Sequence, residues 1–208
     1  MEPVNVLVTL PFEDVLMEKL RAVVRGGSIR QKVIRSVEDL RDAVRDIDVL
    51  YTVDYLPEPE AAPRLKWVQV HTAGVGRVVE HPLYTTTEIT FTNASGVHAI
   101  NIAEYVMSQI LAFAHRLPRM LEDQAAVNWP EHRWKRYVCD ELYGATLGIL
   151  GYGAIGRQLA RVASGFGMTV LAVKRDLRTL EDDTFCVPGT GDPEGVIPMR
   201  FYPPEALH

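Results

Sequence analysis

Short apolar runs alternate along this chain with segments whose apolar residues recur every three or four positions. Val4 to Leu10 is one such run, bounded by Pro3 and Pro11, and it predicts a buried strand. Glu13 to Arg25 carries Val15, Leu16, Leu20, Val23 and Val24 at helical spacing, and Gly26-Gly27 ends that helix. Arg30 to Arg35 predicts a second strand. Ser36 follows as an N-cap, with Asp39 three residues on, for a helix through Val44. Further strands are expected over Val49–Val53, Trp67–His71 and Ile89–Thr92. Strands alternating with helices mean a parallel sheet covered on both faces, here over residues 1 to about 100.

Asn101 to Leu117 has the longest helical pattern, with Ile102, Val106, Ile110 and Ala114 four apart, and Pro118 is expected to break or kink it. The stretch from Arg119 to Tyr143 is mixed and carries Trp129 and Trp134. A second alternating unit then begins. Thr146 to Leu150 is an apolar strand, followed at once by Gly151-Tyr152-Gly153-Ala154-Ile155-Gly156. Ile155, Leu159, Val162, Ala163 and Phe166 continue at helical spacing, and Met168 to Val173 predicts the next strand.

A glycine turn in that context has a chemical reason. Gly151 permits the tight turn out of the strand, Gly153 lets backbone approach a pyrophosphate, and Gly156 lets helix and strand pack closely. Backbone N–H groups of Ala154 and Ile155 at the helix start then face the phosphates, with the helix dipole behind them. The bland alternative is a glycine-rich turn that binds nothing. After the second strand, NAD-binding folds place an acid that accepts from the ribose 2′-hydroxyl. This chain has Lys174, then Arg175 and Asp176. Two cations suit a 2′-phosphate, so NADP is the expected cofactor, with NAD the alternative if Asp176 reaches the ribose instead.

Composition narrows the classes. Net charge is −5 and no long run of one sign occurs, so no nucleic-acid or membrane surface is expected. No apolar stretch approaches a spanning helix, and Met1-Glu2-Pro3 lacks the basic and apolar regions of a signal peptide, so a cytoplasmic protein is expected. The two cysteines, Cys139 and Cys186, form no CxxC, and the six histidines show no ligand spacing. Neither a disulfide nor a metal is therefore expected.

Several segments together resemble the D-isomer-specific 2-hydroxyacid dehydrogenases, a group that includes phosphoglycerate, glyoxylate and hydroxypyruvate reductases. They are Val68 to Gly76 (VQVHTAGVG), Thr92 to His98 with Asn101 to Tyr105, and Trp134 with Glu141 to Gly156. The resemblance runs in order and spacing over roughly residues 1–180. It implies a flavodoxin-like parallel-sheet substrate domain over 1–100. An interdomain helix and the first part of a Rossmann NAD(P)-binding domain would follow over 101–208. It implies hydride transfer between NAD(P)H and a small 2-oxo or 2-hydroxy acid. The acid's carboxylate would be held by backbone N–H groups of Ala73, Gly74, Val75 and Gly76. It also implies a homodimer, with residues 119–143 against a second subunit.

The family's catalytic arginine, glutamate and histidine are expected downstream of His208, because no histidine or arginine here occupies a matching position. The 208 residues are accordingly read as a fragment that is inactive alone. Arg178 to Pro204, rich in Pro, Gly and Asp, is expected to be an irregular and largely mobile insertion, leaving two strands and one helix of the nucleotide fold. Three residues have plain readings beside functional ones. His98 caps a helix, and Tyr105 and Met107 pack. Two other functions stay open: a non-catalytic, corepressor-like dinucleotide binder, and an adenosine-binding methyltransferase, which Lys174 disfavours.

Overall fold

The computed structural model describes residues 3–24 and 26–207. Arg25, the expected last residue of the first helix, lies outside them, as do His208 and the first two residues. The chain divides into compact units at 1–95 and 96–208.

The first unit is a five-stranded parallel sheet. Its elements are β1 (Asn5–Val8), α1 (Asp14–Val23), β2 (Ser28–Gln31), α2 (Val37–Arg41), β3 (Val49–Thr52) and β4 (Trp67–Val70). Two single-turn helices, α3 (Gly76–Val79) and α4 (Pro82–Thr85), and β5 (Thr90–Thr92) complete it. The strand order is β2-β1-β3-β4-β5, the flavodoxin-like order. Leu7, Leu50 and Val68 lie abreast on one face and are fully buried with Leu40, Val44 and Ile47. Ser36 caps α2 as its sequence predicts. Its hydroxyl accepts from the Asp39 N–H at 3.3 Å, and the Asp39 carboxylate accepts from the Ser36 N–H at 3.2 Å. The second strand is shifted upstream of the expected Arg30–Arg35, because its pairing with β1 begins at Asn5↔Ser28.

The second unit starts with α5 (Ala99–Ala114), α6 (Leu117–Ala125) and α7 (Arg133–Arg136), followed by β6 (Thr146–Leu150), α8 (Ala154–Gly165), β7 (Thr169–Val173) and β8 (Arg200–Tyr202). Its strands are parallel in the order β6-β7-β8. Small residues let α5 and α8 approach closely: Ala103 of α5 and Ala160 and Ala163 of α8 share one buried cluster with Met107, Ile149 and Val170.

Three expectations need correction here. The break after α5 falls at Arg116, in the left-handed region at φ 58°, and Pro118 sits in the first turn of α6 rather than ending a helix. Arg178 to Pro204 is not merely an insertion. It contains β8, paired with β7 through Ala172↔Phe201 and Val173↔Tyr202, so three strands of the nucleotide sheet are present. Tyr105 is exposed on α5, whereas Met107 is buried as read.

Candidate functional site

In the second unit the chain leaves β6 at Leu150 and reverses into α8. Gly151 takes φ +95°, which only glycine holds without strain, while its N–H donates to the Val173 carbonyl at 3.0 Å. A Cβ on Gly156 would lie 2.3 Å from the Gly151 carbonyl oxygen and 3.1 Å from Ile149 Cγ2, so this glycine is the point where helix and strand touch. A Cβ on Gly153 would meet nothing within 4 Å. Gly153 is also the N-cap of α8, and no side chain caps the helix. No acid stands in the first turn. Among the described residues, nothing accepts a hydrogen bond from the backbone N–H of Gly153, Ala154 or Ile155. The turn is therefore an open face of unpaired donors at the positive end of a twelve-residue helix, and a diphosphate fits it.

At the end of β7, Lys174 donates from Nζ to the Asp176 carbonyl at 3.0 Å, and Arg175 is exposed. The Asp176 carboxylate is already taken. It accepts from Arg178 Nε at 2.9 Å, from Arg178 Nη2 at 2.8 Å and from the Arg178 N–H at 3.0 Å. That guanidinium holds the Asp176 carboxyl well below the usual carboxylate range.

The first unit offers a second cluster of donors. Beyond β4 the chain runs through Ala73 and Gly74 to Val75, the N-cap of α3. Ala73, Gly74 and Gly76 are exposed, and Val75 packs partly on the core. Among the described residues nothing accepts from the N–H groups of residues 73–76. The turn is braced from behind. The Thr72 hydroxyl donates to the Gly74 carbonyl at 2.8 Å and Asn93 Nδ2 to the Ala73 carbonyl at 3.2 Å. It lies at the carboxyl edge of the sheet, where open α/β folds bind ligands.

The histidines are engaged differently. His71 Nδ1 is 2.9 Å from the Tyr51 hydroxyl, whose ionisation burial pushes up. His81 accepts from the Leu83 N–H. His98 stands at the N-cap of α5 but makes no side-chain cap bond, so its expected capping role fails. Among the described residues no histidine contacts a carboxylate, and no group of three metal-binding side chains gathers.

Sequence reading missed a buried polar network behind the glycine turn, built from Tyr152, Arg157, Gln158, Asp182 and Asp192. Helical periodicity gave no signal for it: Arg157 falls on the face of α8 opposite Ile155, Leu159 and Val162, where a solvated side chain is expected, yet it and Gln158 are both buried.

A parallel sheet, a glycine turn and an open helix start of this form define a Rossmann-type NAD-binding domain. Residues 107–189 match the family model described as D-isomer specific 2-hydroxyacid dehydrogenase, NAD binding domain. The chain is 30% identical over 175 residues to the D-3-phosphoglycerate dehydrogenase of Methanocaldococcus jannaschii, covering 81% of this chain and 32% of that protein. It is 34% identical over 151 residues to the glyoxylate reductase of Thermococcus kodakarensis, covering 66% and 44%. A D-isomer specific 2-hydroxyacid dehydrogenase family protein from Aeromonas salmonicida has the same fold. The TM-score is 0.70 at 24% identity, over 99% of this chain and 60% of that one. Residues 107–189 thus carry the NAD-binding domain of the D-isomer-specific 2-hydroxyacid dehydrogenases, and the chain spans less than half the length of these two sequence relatives.

Proposed function

We propose that this chain is the acid- and dinucleotide-binding part of a cytoplasmic, NADP-preferring reductase of small 2-oxo acids. The observation that carries the reading is the uncapped, unobstructed start of α8 at Gly153 to Ile155. Those N–H groups hold the cofactor diphosphate, and Gly156 keeps the helix close enough to aim them. Lys174 and Arg175 hold the 2′-phosphate. Support for NADP comes from Asp176, whose carboxylate is committed to Arg178 and is a poor partner for a ribose hydroxyl. The N–H groups of Ala73, Gly74, Val75 and Gly76 hold the substrate carboxylate. When bound, the nicotinamide exchanges hydride with the 2-carbon of the acid.

The test is a titration of the chain with NADPH and NADH by fluorescence. NADPH is expected to bind more tightly. Replacing Lys174 and Arg175 together by Ala weakens NADPH about tenfold or more, the loss of a charge-assisted contact or two, and leaves NADH within about threefold. A preference of the unaltered chain for NADH overturns the NADP assignment. Failure to bind either dinucleotide overturns the whole reading.

A further inference from the structure

Behind the glycine turn, one buried cation ties down the connection between β7 and β8. Arg157 directly follows Gly156 and is only 3% exposed. Its guanidinium donates to the Leu180 carbonyl at 2.6 Å and to the Asp192 carbonyl, and its Nε lies 3.0 Å from Asp182 Oδ2. The same group sits over the Tyr152 ring, 4.9 Å from its centre. Tyr152 is the second residue of the glycine turn. Its hydroxyl donates to Asp192 Oδ2 at 2.5 Å. The Asp192 carboxylate also accepts from the Val196 and Ile197 N–H groups, both at 3.1 Å, just before the chain enters β8. The next residue of α8, Gln158, accepts from the Gly191 N–H at 2.6 Å, and one turn further on Arg161 donates to the Gly191 carbonyl at 3.2 Å.

A buried guanidinium is an expensive way to add stability, since an apolar side chain of similar volume does as well or better. What such a network supplies is one fixed arrangement of its members. Here the members are the turn that faces the diphosphate and the segment of residues 180–197. Ala154 of that turn lines a crevice together with Arg157, Thr184 and Phe185, so the segment stands beside the exposed amides. Gly96 lets it pass: a Cβ there would lie 2.1 Å from the Phe185 carbonyl oxygen.

Building on the dinucleotide reading above, we infer that Arg157 is a positioning residue for cofactor binding. It clamps residues 180–197 against Tyr152 and so holds the Gly151–Gly156 turn in its open form. Lysine is a poor replacement, because a single ammonium lacks the fixed fork that the guanidinium directs at the Leu180 and Asp192 carbonyls. The phenol of Tyr152 transmits the clamp through Asp192.

The experiment compares the unaltered chain with R157M, R157K and Y152F, measuring NADPH dissociation constants by fluorescence and backbone amide exchange by NMR. Both Arg157 variants are expected to weaken NADPH at least about tenfold, and Y152F, which keeps the ring and loses one hydrogen bond, about threefold. Exchange at Gly191, Val196 and Ile197 speeds up in each, while the β6–β7 ladder stays protected. A lowered thermal midpoint with unchanged NADPH affinity assigns Arg157 a purely structural part and overturns the inference. If the Arg157 variants do not fold, Y152F decides on the same two measurements. A chain that binds neither dinucleotide overturns the parent reading along with this one, whereas tight binding that the variants leave untouched overturns this one alone.

Discussion

Gly153 and Gly156 stand three residues apart in one turn and answer to different demands. At Gly156 a methyl group would collide with the backbone oxygen of Gly151, which cannot swing away without breaking the turn. At Gly153 a methyl group meets only open space, and the backbone angles of φ −92° and ψ −162° suit any residue. The space is needed only if something outside the chain comes to the amides. Gly156→Ala should therefore cost about 1–3 kcal/mol of stability through overpacking, and dinucleotide affinity with it. Gly153→Ala should keep its urea midpoint within about 0.5 kcal/mol of the parent while NADPH binding weakens about tenfold. Equal stability losses at the two positions would contradict the division of roles. An unchanged NADPH affinity in Gly153→Ala would remove the diphosphate from the turn.

At the scale of elements, Asp123 decides how α6 meets α7. Its carboxylate is buried and accepts from Arg136 Nε at 2.5 Å, Tyr137 Oη at 2.8 Å and Asn128 Nδ2 at 2.7 Å. The Arg136 contact leads in holding its pKa at about 2, down from 3.8. A depressed carboxylate stabilises fully above its unfolded pKa and loses that contribution as pH falls through the folded one. Residues 117–140 should thus loosen between pH of about 4 and about 2, seen in the indole signals of Trp129 and Trp134, and Asp123→Asn should flatten that dependence. A variant with the parental acid profile would exclude Asp123 as the cause. The elements differ in how far they can be read from sequence. β6 matches its expected bounds and β7 differs by one residue, because long apolar runs and flanking glycines set them. β8 escaped notice: it is three residues between prolines, and its pairing with β7 alone makes it a strand. The Arg157 network escaped for a related reason. Its partners lie 23 to 35 residues away in sequence, and periodicity carries no information about such contacts. The turn at Ala73–Gly76, proposed above to hold the substrate carboxylate, was legible only through resemblance, since neither glycine there has a positive φ to demand it.

For the whole molecule, α6, α7 and the turn between them expose a group of large apolar side chains, the kind of surface that marks an interaction site when contiguous. Leu117, Leu121, Val127, Trp129 and Trp134 are all exposed, Val127 at 93% and Trp129 at 76%. Val127 also holds φ 52°, a conformation β-branched residues avoid, so the turn after α6 is strained at its most exposed side chain. Arg133 stacks over the Trp129 ring at 5.1 Å and fixes its orientation. Exposed tryptophans are the side chains that most often carry the binding energy of a protein interface, and a second copy of this chain is the expected partner. The chain is accordingly expected to sediment near twice its 23.3 kDa mass at micromolar concentration. Replacing Trp129 and Trp134 together by Ala should return it to one chain and leave NADPH affinity in place, because neither residue belongs to the glycine turn. A parent chain that stays single at about 100 μM would take this surface out of self-association, as that concentration exceeds what an interface with two tryptophan anchors needs.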